Sequence, residues 1–442
     1  MGQGSVSWAR VLLFGLLAPL SAADSSDGLA YEAIDKNPIF TSNSTQHAAR
    51  TPLINGWWDS KICSGDFCVF TNRRLGKGRG LVAVTKLEEA QKLEQLENHF
   101  NNGENKYFDD PAPFTTTDIP YKGPSITATK TIRRGKPLMV WSPVLLVHKA
   151  LFNQVPKKKE RTRLLETAVS YLPDATRAIF NRQRIRPGDD TAHSHPRSIE
   201  DILLAHPFEI DLGHVNWQRV NDNDNDVDAH SKHYVNYPEV SAMQHDCRPN
   251  VATHLDNSFS LRATVARRVQ QGEELTVSYI DPFLPREERT AWVKRYRGYG
   301  VPGGEEGGVH NGCPCKACTL DGASKGEKVV AGDERLEEIL KLRAILRNHD
   351  SRNVDFPMIE RFVKLCEEER LHIRFAEMYE LAALNFNYLG DDKRAKKYAE
   401  YAVQAGIVEG GLDSNDAIAM RVMAKDVKGH YSYRFTLKRR GE

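Results

Sequence analysis

With 442 residues, 61 basic against 59 acidic side chains and 40% hydrophobic content, the chain is long enough for two or three domains with cores of their own. A net charge of +2 excludes a global electrostatic drive toward nucleic acid or a membrane surface, and the basic residues Lys438, Arg439 and Arg440 near the end read as a solvated tail.

The N-terminus has the layout of a secretory signal. Arg10 precedes an apolar run from Val11 to Leu20, and the small residues Ser21, Ala22 and Ala23 offer a cleavage site. The run is about half the ~20 residues that a membrane helix needs, so cleavage is expected rather than anchoring. The sequon Asn43-Ser44-Thr45 agrees with this route, which leads to the secretory pathway or the extracellular space. The alternative is a functionless apolar start on a nuclear or cytoplasmic protein. Residues 1–23 are thus a signal peptide and 24–114 an N-terminal region, polar and patternless as far as residue 55.

Cys63 and Cys68 flank a short loop; in an oxidising compartment they can pair, and in the cytosol they are free thiols. Short strands are predicted at 69–71 and 80–85, then a helix from Leu87 to Phe100 by its apolar spacing. Residues 125–129 alternate like a strand, 132–137 form a turn, and Leu138–His148 reads as one buried strand. The pattern is helical from about 158 to 206, apart from a loop at 186–196. The loop Asp222-Asn223-Asp224-Asn225-Asp226 has a calcium-like composition but lacks the required Gly and Glu offsets, so it reads as plain polar loop. Strands return at 259–266 and 274–279, and Gly303–Gly308 is a flexible insertion. From Asp333 the chain is helical. Tyr379 to Tyr388, the turn Leu389-Gly390-Asp391, and Ala395 to Ala402 resemble one tetratricopeptide-style helix pair.

The cysteines carry the sharpest pattern. Cys313-x-Cys315-x2-Cys318 places three sulfurs in one tight loop, and tetrahedral zinc wants four ligands. Cys247 is the candidate for the fourth, which would pin its segment against the end of the domain. The competing reading is a lone thiol at Cys247 and a disulfide within the late trio.

Three segments together point to a family. Gln244-His245-Asp246-Cys247-Arg248-Pro249-Asn250 resembles the first signature of SET-domain protein lysine methyltransferases, Asn-His-Ser-Cys-x-Pro-Asn. Gly272-Glu273-Glu274-Leu275-Thr276-x-x-Tyr279 is similar to their second, and the Cys313–Cys318 cluster to their post-SET zinc loop, whose fourth ligand is the cysteine of the first signature. The likeness covers about residues 115–320 and is greatest to SMYD-like and fungal SET proteins, without a MYND module, since seven cysteines cannot supply both zinc sites. The resemblance implies an α+β fold: a β-rich SET domain at 115–285 with helical insertions, a post-SET region at 286–320, and a C-terminal α-helical, tetratricopeptide-like domain at 333–430.

It also implies roles. Tyr279 becomes the catalytic phenol. Gln244 and His245 hold S-adenosylmethionine, and His206 takes the place of a cofactor-contacting Asn. Phe208, Tyr237 and Tyr299 line the substrate channel. Two glycine motifs compete for the cofactor loop. Gly78-Arg79-Gly80 matches better by letter, but spacing from the turn Ile132-Arg133-Arg134-Gly135 selects Lys122, Gly123 and Ser125, with Pro124 beside them. The expected cofactors are S-adenosylmethionine and a structural zinc bound by Cys247, Cys313, Cys315 and Cys318. The expected partner is a protein offering a lysine side chain, with no nucleic acid, no membrane span and a monomeric state. The alternative that follows from Gln244, Pro124 and Ser125 is a catalytically silent SET scaffold that binds a partner.

Overall fold

The computed structural model describes residues 56–119, 123–183, 197–212, 232–297, 313, 315, 317, 318 and 323–442. A hairpin comes first: β1 (Trp58–Ser64) and β2 (Phe67–Asn72) pair so that Cys63 faces Cys68, and a disulfide joins them. A glycine turn, α1 (Leu75–Gly78), then feeds β3 (Leu81–Thr85), an entirely buried strand. Gly80 has φ +78°, and a Cβ there would lie 2.6 Å from Pro173 Cδ, so both backbone angle and space demand glycine.

The helix expected over 87–100 is broken at Leu96 into α2 (Leu87–Gln95) and α3 (Glu97–Asn102). Next come β4 (Lys106–Tyr107), β5 (Phe114–Ile119) and β6 (Gly123–Ala128). The single strand expected over 138–148 is in fact two, β7 (Pro137–Trp141) and β8 (Leu145–His148). Pro143 has no amide to give a ladder, and here the chain leaves one sheet for another. Helices α4 (Leu151–Gln154), α5 (Lys158–Ser170), α6 (Asp174–Arg182) and α7 (Ile199–Ala205) occupy the helical stretch. Ser198 caps α7 in a reciprocal box with Asp201.

The chain continues through β9 (Phe208–Asp211), β10 (Lys232–Asn236), α8 (Pro238–Ser241), β11 (Gln244–His245), β12 (Val251–Leu255), β13 (Leu261–Val265), β14 (Glu274–Val277) and α9 (Arg286–Arg297). Strands β1, β4, β5, β9, β10, β11 and β12 lie where the sequence pattern gives no strand. Three sheets result, in the orders β1-β2-β3-β8-β10-β9, β11-β14-β6-β5 and β12-β13-β7-β4. They enclose a core that includes Phe70, Leu81, Phe100, Met139, Tyr237, Val251, Leu275 and Tyr279. Burying each such apolar side chain contributes about 1.5–3 kcal/mol.

From Ala323 onward the chain is helical: α10 (Ala323–Arg347), α11 (Phe356–Glu368), a 3-10 turn (His372–Arg374), α12 (Phe375–Tyr388), α13 (Asp392–Gly410), α14 (Asn415–Lys425) and α15 (Phe435–Arg440). The expected helix pair is α12 and α13, with Gly390 at φ +75° in the turn between them. Ala395, Ala399, Ala402 and Ala405 are buried along α13, because small side chains let the helices approach closely. The fold is α+β, a β-rich core followed by this helical region. No helix among the described residues is long and apolar enough to cross a membrane.

Candidate active site and four-cysteine cluster

Strand β14 ends at Val277, and two residues later Tyr279 turns its side chain inward, 2% exposed. Its hydroxyl donates toward two main-chain carbonyls, Met243 at 3.0 Å and Val240 at 3.3 Å. Both belong to the turn around α8. That turn is held from behind by Arg79, whose guanidinium grips Glu239 at 2.7 and 2.6 Å, donates to the Ser142 carbonyl at 3.1 Å and lies over the Trp141 ring. A planar fork on a carboxylate fixes orientation as well as charge, so α8 and its carbonyls have little freedom. Sequence reasoning missed this pair: Arg79 and Glu239 are distant in sequence, and only the fold brings them together.

Aromatic rings wall the phenol. His206 and Phe208 lie 4.9 and 5.7 Å from the Tyr279 ring, centroid to centroid, and Tyr237 lies 5.6 Å beyond Phe208. His206 is buried, and its Nδ1 is 2.9 Å from the Ile202 carbonyl. The Tyr237 hydroxyl donates to the Phe259 carbonyl at 2.8 Å, so this residue presents ring surface to its neighbours. Burial, with Asp256 adding to it, pushes its pKa well above the usual phenol value. Lys122 and Tyr299 lie outside the described residues.

The two segments that carry the motifs flank one strand. Gln244 and His245 of β11 pair in parallel with Thr276 and Val277. On the other side Leu275 pairs with Ile126, the residue after Ser125. Gln244, Thr276 and Ser125 are buried polar residues on the adjoining strands β11, β14 and β6, a donor and acceptor set of a kind that fits the polar end of a small cofactor. Asn250 locks the two motifs together: its amide donates to the Glu274 carbonyl at 2.8 Å and its oxygen accepts the Thr276 N–H at 2.9 Å. The motif contained Asn250, but this clamp depends on register and was not foreseen.

The glycine motif at 78–80 behaves differently. The amides of Gly78, Arg79 and Gly80 donate to the carbonyls of Arg74, Gly76 and Leu75, so none of the three points outward toward an anion. This loop shapes the turn into β3 and carries Arg79.

The four cysteines converge. The sulfurs of Cys247, Cys313, Cys315 and Cys318 lie within 4.8 Å of one another, all buried. Cys247 is 3.8 Å from Cys313 and 3.5 Å from Cys318. At a metal–sulfur distance of about 2.3 Å, a regular tetrahedron has sulfur–sulfur edges of about 3.8 Å, so the set fits a tetrahedral thiophilic ion. Cys63 and Cys68 pair elsewhere, and the cluster contains no disulfide. Arg289 of α9 donates to Cys318 at 3.4 Å while 2% exposed. Burial opposes its charge, yet the sulfurs of Cys247 and Cys318 outweigh this and raise its pKa. A buried cation beside the cluster offsets thiolate charge, a role that no local sequence signal announced.

The ring of His245 stands between cluster and phenol. Its Nδ1 accepts the Tyr279 backbone N–H at 3.2 Å, and its Nε2 is 3.4 Å from Cys247 Sγ.

A knot of short strands around a buried phenol, beside a four-cysteine cluster, defines the class of fold. Residues 123–280 match the family model of the SET domain, a little over a third of the chain. The chain carries a SET domain over these residues, and proteins with this domain are in general protein lysine methyltransferases. The match begins at Gly123 and leaves Gly78–Gly80 outside it. No curated protein matches the chain.

Proposed function

We propose that this protein is an S-adenosylmethionine-dependent protein lysine N-methyltransferase, SMYD-like, with a structural zinc ion bound post-SET fashion by Cys247, Cys313, Cys315 and Cys318. The observation that carries the reading is the Tyr279 hydroxyl, set against the carbonyls of Val240 and Met243 inside a SET domain and walled by Phe208 and Tyr237. The cofactor supplies, when bound, a methyl group on a sulfonium, and Gln244, Ser125 and His206, with His245, Lys122 and Gly123, are the residues proposed to hold it.

The chain's own residues would do three things. The aromatic walls exclude water. An incoming lysine must be neutral to attack, and from a pKa near 10.4 that costs about 4–5 kcal/mol at pH 7. An apolar wall disfavours the ammonium and offsets part of that cost. The Tyr279 hydroxyl and its two carbonyls then orient the nitrogen along the line of attack, where positioning supplies much of the rate. The four sulfurs would hold Cys313, Cys315 and Cys318 against the Cys247 segment. The protein is proposed to act as a monomer, and its proposed route is the secretory pathway, which the N-terminal apolar run and the Cys63–Cys68 disulfide support.

The test is zinc-loaded protein with isotope-labelled S-adenosylmethionine and lysine-bearing protein substrates, with cofactor binding followed by calorimetry. Turnover that falls in Tyr279→Phe supports the proposal; folded, zinc-loaded protein that neither binds the cofactor nor transfers label sinks it. A second reading, a silent scaffold that binds a partner, is favoured by one observation. Gly123 to Ser125 pair residue by residue with Ile119 to Thr117 as regular strand, and Pro124 among them has no amide to offer a ligand. Cofactor binding that appears only after Gln244→Asn would select it.

A further inference from the structure

We propose that His245 is a positioning residue that couples the cysteine-bound metal to the backbone of Tyr279. The inference rests on the zinc and catalytic roles proposed above, while its geometry is read from this chain's own residues. Nδ1 lies 3.2 Å from the Tyr279 N–H, which can only donate. Nδ1 is therefore the unprotonated acceptor, and in the neutral ring the proton sits on Nε2. Nε2 lies 3.4 Å from Cys247 Sγ, so its N–H donates to that sulfur. One imidazole thereby touches both sites: the Tyr279 N–H fixes the tautomer, and the tautomer turns a donor toward the Cys247 sulfur.

The surroundings leave the ring little choice. It is 1% exposed, it lies in β11 with its backbone paired to Val277, and the Trp292 ring of α9 stands 6.1 Å away. A hydrogen bond to a metal thiolate withdraws electron density from sulfur and orients the ligand, and loss of such a partner typically costs about 10–100-fold in metal affinity or activity. Loss of the metal would in turn weaken the Nε2–H contact to sulfur, so the ring, less firmly held on that side, would fix the Tyr279 backbone less tightly even though the Tyr279 hydroxyl still reaches Met243. The metal would thus act on the phenol through a single ring.

The two nitrogens can be separated by substitution. In His245→Asn the side-chain oxygen can stand where Nδ1 stands, keeping the Tyr279 contact and losing the thiolate. In His245→Gln the longer amide can stand where Nε2 stands, keeping a donor to Cys247 and losing the Tyr279 acceptor. Zinc release to a chromogenic chelator should be at least about tenfold faster in His245→Asn than in wild type, and close to wild type in His245→Gln. The Tyr279 amide signal in protein labelled with nitrogen-15 tyrosine should show the reverse pattern, shifted in His245→Gln and retained in His245→Asn. In wild-type protein exchanged with cadmium-113, a scalar coupling between the metal and the Nε2 proton should appear; this arm needs no variant to fold.

Equal metal release in all three proteins, both properties lost together in both variants, or no coupling in the cadmium protein would each overturn the proposal. None of these readouts is turnover. If they hold and no methyl transfer is found, the coupling stands and the enzymatic reading fails.

Discussion

Arg248 and Glu369 form a buried ion pair across the boundary between the SET core and the helical region, Nη2 to Oε2 3.0 Å, with both side chains at least nine-tenths buried. Arg248 also donates to the carbonyls of Cys247 and Pro282, and Glu369 takes a second cation, Arg335, at 2.7 Å. The residue after Cys247 of the four-cysteine cluster is therefore an anchor for the C-terminal helices.

Breaking this pair from one side leaves an uncompensated charge, which typically costs about 3–5 kcal/mol. Glu369→Gln should lower stability by about 3 kcal/mol, because Arg248 would keep only carbonyl acceptors. Arg248→Met with Glu369→Gln should cost less than the two single changes summed, by at least about 1 kcal/mol. Chemical denaturation of the four proteins reads the coupling. Additive effects would mean that the two groups do not sense each other.

Tyr279→Phe tests the phenol. The variant removes one hydroxyl whose partners are the Met243 and Val240 carbonyls, leaving a buried acceptor short of a donor at a cost of about 1–3 kcal/mol. If the hydroxyl orients the reacting amine, kcat should fall about 100-fold or more while cofactor affinity holds. Steady-state kinetics with calorimetry separates the two. Arg79→Met should lower kcat as well, by loosening α8 through the lost grip on Glu239.

These two tests bear on what the sequence could and could not announce. The convergence of Cys247 with Cys313, Cys315 and Cys318 was legible, because metal ligation needs few residue types at short spacings and the remote member sits in a recognisable segment. The paired helices α12 and α13 were legible for a similar reason, since periodicity, a turn glycine and small contact residues are all local. Pro143 lay in view as a breaker, yet the apolar run from Leu138 to His148 outweighed it, and one strand was expected where two sheets each take a half. Arg79–Glu239 and Arg248–Glu369 were illegible: a charged residue gives no local sign of its partner, and both pairs exist only after the sheets and helices have docked. The use of the His245 ring depends on a two-residue register between β11 and β14, finer than any pattern in the chain.

The cysteine cluster predicts a metal-dependent fold. Zinc sites of this kind contribute about 10–16 kcal/mol in model peptides at neutral pH. Elemental analysis should find one zinc per chain. Prolonged chelation should lower the melting temperature and expose the thiols of Cys247, Cys313, Cys315 and Cys318 to alkylation, and zinc added back should reverse both. Cys247→Ser should resemble the chelated protein more closely than Cys366→Ser does, because Cys366 is buried in the separate helical core. A zinc-free preparation with an unchanged melting curve would remove the structural role assigned to the metal.

Acid should weaken the junction between the SET core and the helices. His254 of β12 has its pKa lowered to about 4, first by burial and then by Arg262, with Asp256 opposing. His372, in the turn before α12, is also lowered to about 4, first by burial and then by Arg267, Arg370 and Arg134. Both groups bind a proton more tightly in the unfolded chain, where the ordinary value is near 6.5. Their neutral forms therefore contribute stability that is complete above pH 6.5 and is lost as pH falls toward 4, by up to about 3 kcal/mol for each ring. Unfolding free energies at pH 7, 5.5 and 4.5 should decline in wild type and decline less in a His254→Asn, His372→Gln double variant. Zinc content is measured at each pH, so that acid loss of the metal is not mistaken for the histidine effect. Parallel declines in the two proteins at equal zinc content would show that neither ring carries the acid sensitivity.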